Sequence, residues 1–163
     1  MTDNISPTLT TLYEGWALYQ SNLTNTLAPL TDEQLMLRAA ADLRPIWALA
    51  AHVISARVWW FHEFLDEGDP ALGPLVTWDN DGQPARSATE LATALDQTWH
   101  LVHDCLQRWS AADLAETVRR EVHGKERIFS RQWVVWHVLE HDLHHGGEIS
   151  FSLGMHGLTG LDL

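Results

Sequence analysis

Between residues 137 and 148 the chain reads His-Val-Leu-Glu-His-Asp-Leu-His-His-Gly-Gly-Glu, a density of imidazoles and carboxylates suited to holding a metal ion. On an α-helix, residues four apart differ by about 40° of rotation and one turn of rise, so His141 and His145 emerge on one face. Both can point at a single ion, as neighbouring ligands do in H-x-x-x-H sites. His137 and Glu148 fall on nearly the same stripe, whereas His144 is rotated by about 100° from His145 and faces elsewhere. Trp133, Val134, Trp136, Val138 and Leu139 are expected to place this turn inside the protein. Burying several imidazoles without partners is costly, and a shared ion offsets that cost. The alternative is a polar core in which Glu140, Asp142 and Glu148 satisfy the imidazoles by hydrogen bonds.

One helix face rarely closes a coordination sphere, so a third ligand has to come from another helix. His52 is the candidate, because it interrupts the apolar run Trp47-Ala-Leu-Ala-Ala-His52-Val-Ile. Alone, such a histidine reads as a satisfied core residue. Together with His141 and His145 it completes a three-histidine site, which leaves coordination positions open, as in catalytic rather than structural sites.

Four stretches of helical periodicity would carry these residues. The first runs from about Thr8 to Ala28 on the stripe Leu9, Leu12, Trp16, Tyr19, Leu23 and Leu27, with Pro7 at its start and Pro29 at its end. The second runs from Ile46 to about Leu65, with Pro45 before it and an apolar face of Ile46, Leu49, Val53, Ala56 and Trp60. The third opens on the capping-box pattern Ser87-Ala-Thr-Glu90 and continues to about Trp109. The fourth starts near Ser130 and reaches about Met155, with Gly157 as its stop. Asp66 to Arg86, rich in Gly, Pro, Asp and Asn, is expected to be a crossover loop without regular structure. Thr117 to Phe129 looks extended, with a turn at His123-Gly124-Lys125. A short internal echo relates Leu30-Thr-Asp-Glu-Gln-Leu35 to Trp109-Ser-Ala-Ala-Asp-Leu114, each following a helix. The expected fold is all-α: one four-helix-bundle domain over residues 1–163, with a long crossover between the second and third helices.

Composition narrows the function. Nine tryptophans serve as core or pocket walls, with Trp16, Trp99, Trp109 and Trp133 expected in the core and Trp47, Trp59, Trp60 or Trp136 as pocket walls. A net charge of −12 repels phosphate backbones, so nucleic acid is not an expected partner. The basic residues Arg119, Arg120, Lys125, Arg127 and Arg131 are interleaved with Glu121 and Glu126 and read as a solvated connection, the alternative being an anion site. Cys105 is the single cysteine, so no intrachain disulfide is available; it reads as a core residue rather than a nucleophile. The first seven residues lack the basic flank and apolar run of a signal peptide, and no stretch approaches the roughly 18 apolar residues of a membrane span. A cytoplasmic protein without a membrane partner is expected. Nucleotide-binding glycine loops and the G-x-S-x-G elbow are absent.

The segment Leu30-Thr-Asp-Glu-Gln-Leu35, the signature Trp47-x-x-x-x-His52 and the run His141-Asp-Leu-His144-His145-Gly146-Gly147-Glu148 resemble the DinB-like (YfiT-like) metal-binding four-helix bundles over essentially the whole chain. The usual ending in that family is H-x-x-x-H-R-G-Q. Here Gly146 stands for the Arg and Glu148 for the Gln, and Glu148 becomes a candidate partner for a ligand imidazole or a fourth ligand. The resemblance implies a divalent ion, Zn or Ni first and Fe or Mn as alternatives, held by His52, His141 and His145. It also implies a homodimer and, in some relatives, metal-dependent transfer or isomerisation with a low-molecular-weight thiol such as bacillithiol, mycothiol or glutathione. The expected function is therefore a metal-dependent thiol S-transferase acting on a small-molecule substrate. Glu148, Asp142 or a hydroxide at the metal would be the general base. A metal-dependent hydrolase and a non-enzymatic stress or metal-sensing protein are the alternatives.

Overall fold

The computed structural model describes residues 7–162, with side chains from Thr11 onward. The reading of residues 1–6 as lacking a leader lies outside the described residues, as does the side chain of Leu9. The elements run α1 (Pro7–Leu27), α2 (Asp32–Leu35), α3 (Ile46–Val58), a π-helical turn (Trp59–Phe64), a 3-10 stretch (Pro70–Thr77), α4 (Ala88–Arg108), α5 (Ala111–Ala115), β1 (Thr117–Val122), β2 (Lys125–Ser130) and α6 (Arg131–Met155). The protein is thus mostly helical with a small antiparallel sheet, which corrects the all-α expectation. The hairpin forms because His123 and Gly124, both at positive φ (50° and 70°), supply the tight turn that matches strand twist. Its register pairs Val122 with Lys125 and Thr117 with Ser130. The basic residues here are solvated, with Arg119 paired to Glu126 across the strands.

The caps explain the helix starts. Ser87 Oγ accepts from Glu90 N at 3.3 Å while the Glu90 carboxylate accepts from Ser87 N at 2.9 Å. Thr31 with Gln34 and Ser110 with Asp113 repeat that exchange, so the two echoed segments are both one-turn helices set by capping boxes.

The connection from Asp66 to Arg86 is not the irregular loop expected of it. Asp69 accepts from Ala71 N at 2.8 Å, Pro70 supplies a preset φ, and a 3-10 helix follows. It lies along α3, where Ser55 Oγ donates to Leu75 O at 3.0 Å. That anchorage decides where Asp79, just beyond it, is delivered.

The four long helices enclose two apolar clusters. One holds Leu23, Leu27, Ile54, Leu95, Ile149 and their neighbours; the other holds Trp16, Phe61, Leu101, Val138, Leu139 and theirs. Between them lies a buried polar layer. Arg57 donates to Asp142 (2.8 Å from Nη2), to Gln20 Oε1 (2.8 Å) and to Leu95 O (3.2 Å), and Trp16 Nε1 donates to Asp142 at 2.9 Å. Arg57 and Asp142 are both fully buried, and α1, α3, α4 and α6 all meet in this layer.

Several tryptophans depart from expectation. Trp16 and Trp109 are buried, and Trp99 is half-buried edge-on to Trp16. Trp133 and Trp136 are 38% and 58% exposed, because α6 turns Val134, Val138, Leu139 and Asp142 inward instead. Leu12, on the expected α1 stripe, is also exposed.

The Gly146-Gly147 pair divides by role. A Cβ built on Gly146 would stand 2.0 Å from Tyr19 Oη and 2.9 Å from its Cζ, whereas one on Gly147 meets nothing within 4 Å. Gly146 therefore lets α1 approach α6, and Gly147 only weakens the helix. Gly147→Ala is expected to raise stability by up to about 1 kcal/mol. Gly146→Ala, which must displace a buried tyrosine ring, is expected to lower it by about 1–3 kcal/mol. Urea denaturation of both variants checks this; equal effects would mean that Tyr19 does not need the space.

Candidate metal centre

Packing of α3 against α6 brings His52 over the His141–His145 face. The ring centroids are 4.7 Å apart for His52–His141, 4.7 Å for His52–His145 and 4.3 Å for His141–His145. One potential ligand atom from each residue lies within 4.8 Å of the others, and all three residues are half-buried. Nε2 of His52 and Nε2 of His141 are 3.1 Å apart. Two nitrogens bound to one ion at 2.0–2.1 Å stand about 2.8–3.0 Å apart in octahedral and about 3.3–3.4 Å apart in tetrahedral geometry, and the observed separation lies between the two.

Two of the imidazoles are braced from behind. His52 Nδ1 lies 2.5 Å from Asp79 Oδ2, and His145 Nδ1 lies 2.7 Å from Glu148 Oε2. A carboxylate on Nδ1 fixes the tautomer and leaves Nε2 with its lone pair available. Glu148 is therefore a partner of His145, as one of its expected roles had it. Asp79 was not singled out from the sequence, and no local signal marks it, since it reaches His52 only because the 3-10 stretch docks on α3. Asp79→Asn is expected to weaken metal affinity about 10–100-fold while leaving the fold intact. Competition with a chromogenic chelator measures this, and unchanged affinity would show that Asp79 does not orient His52.

Hydrogen bonding alone does not satisfy the cluster. With His52 Nδ1–H given to Asp79, His52 Nε2 is an acceptor, so in the bare cluster His141 must donate from Nε2. A cation there would replace that proton and use the Nε2 lone pairs of His52 and His141, which stand 3.1 Å apart; His141 Nδ1, buried and without a partner among the described residues, would then carry the proton. The donor set of three imidazoles fits a divalent ion of the imidazole-preferring kind.

The electrostatics agree. Burial, followed by the neighbouring imidazoles His145 and His52, holds the His141 pKa down from 6.5 to about 3, and burial lowers His145 as well against the opposing pull of Glu148. Both are thus neutral, ligand-ready bases at neutral pH. In the metal-free protein the unfolded chain protonates His141 near 6.5 and the folded chain only near 3, so between those values the unfolded state binds more protons. Stability from this group is complete above 6.5 and drains as pH falls toward 3, by at most about 1.4 kcal/mol per pH unit. Chemical denaturation at a series of pH values is expected to show that decline. His141→Ala should flatten it, and an equal slope in the variant would place the acid sensitivity elsewhere.

The remaining candidates fall outside the cluster. His137 stacks on Trp133 (4.9 Å, 13°) and lies 6.3 Å from His141 between ring centroids. Trp60, one of the expected pocket walls, sits edge-on to His137 at 4.9 Å. His144 is exposed and shares Glu148 with His145. Asp142, considered as a general base and as a partner for the imidazoles, is instead turned into the core against Arg57. Glu140 is exposed and only approaches His137, at 4.0 Å. Cys105 is buried and its thiol is pushed up to about 12, mainly by that burial, which fits a core residue. A cleft of about 430 Å³ opens onto His52 and His145, walled by Leu43, Leu49 and Phe151 with Asp42, Arg44 and Glu148 on its lining. Its size falls within the range of small-molecule sites. Among the described residues no helix is long and apolar enough to cross a membrane.

Known proteins share this architecture. The chain is similar to a DinB-like protein from Bacillus cereus ATCC 10987, known from its crystal structure, at 20% identity and a TM-score of 0.70, covering 100% of this chain and 99% of that one. It is also similar to a conserved protein from Enterococcus faecalis, at 13% identity and a TM-score of 0.62 over 86% of this chain and 94% of that one. At those identities the likeness is one of fold. No curated protein matches the chain. The sequence profile of the DinB superfamily, however, matches residues 17–149, well over half of the length. This chain belongs to the DinB superfamily.

Proposed function

We propose that the protein is a metal-dependent transferase acting with a low-molecular-weight thiol, its divalent ion held by His52, His141 and His145. One observation carries the reading: two of the three imidazoles are braced on Nδ1 by Asp79 and Glu148, while a cleft of small-molecule size reaches the same histidines. A structural ion is enclosed by four protein ligands; three imidazoles beside an open cleft suit a catalytic one. Bound there, the ion supplies Lewis acidity that makes a thiol a nucleophile at neutral pH.

The chain's own residues do the rest. Asp79 and Glu148 hold two imidazoles at fixed orientation, and Leu43, Leu49 and Phe151 thin the water around the reacting atoms. Glu148, whose Oε2 holds His145 Nδ1 and whose Oε1 stands 3.6 Å from His144 Nε2, is the cleft-lining carboxylate in contact with the histidines. Imidazole ligands suit Zn, Ni and Fe alike, and the family resemblance puts Zn or Ni first, with Fe or Mn as alternatives. The same reading takes the four long helices as a four-helix bundle forming one domain. It also takes the protein as a cytoplasmic homodimer, for which the exposed Trp136, Leu143 and Phe151 of α6 offer apolar surface.

The test is conjugation of glutathione, bacillithiol and mycothiol to monochlorobimane by protein loaded in turn with Zn, Ni, Mn and Fe. Metal-dependent turnover lost in His52→Ala supports the reading. No turnover with any pairing of thiol and metal removes the transferase.

A further inference from the structure

Among the described residues, two clusters bring three imidazole or carboxylate groups within 4.8 Å of one another. One is the three-histidine centre. The other is His144, His145 and Glu148, on the solvent side of α6, where the side chains of His144 and Glu148 are 64% and 45% exposed. His144 and Glu148 are four residues apart on one helix, so their side chains emerge on the same face one turn apart. His144 points away from the three-histidine centre, and neither that centre nor the core accounts for it.

Glu148 divides its two oxygens between two imidazoles. Oε2 stands 2.7 Å from His145 Nδ1, a hydrogen bond, whereas Oε1 stands 3.6 Å from His144 Nε2. The second distance is too long for a hydrogen bond. It is the spacing of two donors on one ion: ligand atoms about 2.0–2.2 Å from a tetrahedral ion stand about 3.3–3.6 Å apart. Charge favours a cation there as well. Glu148 is paired with imidazoles and with no Arg or Lys among the described residues, in a chain of net charge −12.

We infer that His144 and Glu148 form a second, weaker site for a divalent cation, joined to the histidine centre through the Glu148–His145 contact. One nitrogen and one carboxylate oxygen suit a borderline ion such as Zn, whereas Mg and Ca take oxygen ligands. With water completing the sphere, two protein ligands hold an ion less tightly than three. The outer site therefore fills only at metal concentrations above those that saturate the centre, and it empties when unbound metal is washed away. An ion there shares the carboxylate that orients His145 and sits at the edge of the cleft that Glu148 lines. The assignment does not depend on the thiol-transfer reading.

Calorimetric titration with zinc, carried well past one equivalent and paired with proton NMR of the histidine rings, tests this. The wild type is expected to take one ion tightly and a second weakly. The rings of His52 and His141 should shift with the first ion, and the ring of His144 only with the second. His144→Ala, a change at an exposed position, should keep the first event and weaken the second at least about tenfold. Glu148→Gln should weaken the second likewise. His100→Ala, an exposed histidine on α4, should leave both unchanged. A titration that ends at one ion, a second ion retained in His144→Ala, or a second event that shifts some other ring would each overturn the outer site. Weak zinc binding that depends on His144 in a protein with no tight event would retain the outer site and remove the histidine centre.

Discussion

His141→Ala is expected to reduce bound metal from about one ion per chain to a trace, measured by inductively coupled plasma mass spectrometry on untagged protein reconstituted with Zn, Ni, Mn or Fe. The expectation is strong because His141 is the central ring of the cluster: its Nε2 is 3.1 Å from that of His52, and its centroid is the nearer of the two to His145. Removing it leaves two imidazoles with no shared neighbour, and two ligands from different helices hold an ion far less tightly than three. His52→Ala should do the same by taking away the only ligand from α3. Thermal melts add an independent readout. A ligand present at 1,000 times its dissociation constant stabilises the folded state by about 4 kcal/mol. The wild type should therefore melt higher on addition of metal, and both variants should not respond. If the wild type takes up none of the four metals, the histidines form a polar core and the transferase falls with the site. If it binds metal and His141→Ala binds it equally well, the ion sits elsewhere.

The second large effect belongs to Arg57. Its replacement by methionine keeps much of the side-chain volume but strands Asp142, fully buried, with only the Trp16 indole as a donor. Breaking a buried pair by removing one partner destabilises by about 3–5 kcal/mol, because a charge is left uncompensated where water cannot reach it. Urea denaturation of Arg57→Met is expected to show a loss of that size. The double replacement Arg57→Met with Asp142→Leu should recover most of it, since both charges are then gone and the two apolar clusters can meet. A single variant that loses less than about 1 kcal/mol would mean that the layer is hydrated or able to rearrange.

How much of this was legible in the sequence depended on how local the cause was. The capping box at Ser87, the proline at the first position of α1 and the one ahead of α3, and the four-residue spacing of His141 and His145 act within a turn or two of chain, and the elements follow them closely. His52 could be paired with them because a lone imidazole in an apolar helical run needs a polar partner that its own helix does not supply. The hairpin turn at His123-Gly124 was readable for the same local reason, although the strands it joins were not counted into an all-α expectation. Asp79 was not readable, since it reaches His52 across 27 residues through a docked 3-10 helix. Arg57 and Asp142 have the residue types of a surface, and only the packing of α1, α3, α4 and α6 buries them together. Trp133 and Trp136 misled in the opposite direction: apolar type suggested burial, but α6 has more apolar residues than its inward face accepts.

The polar layer has a consequence for how the molecule comes apart. It separates two apolar halves, and the histidines straddle the boundary. His52 rises among Leu49 and Val53 of one half, whereas His141 follows Val138 and Leu139 of the other. Neither half can fray without carrying away a ligand. An ion across that seam would therefore act as a clasp, merging what would otherwise be two separately opening units into one cooperative foldon. Its departure would be timed by how often the seam opens, not by the strength of any single bond to nitrogen.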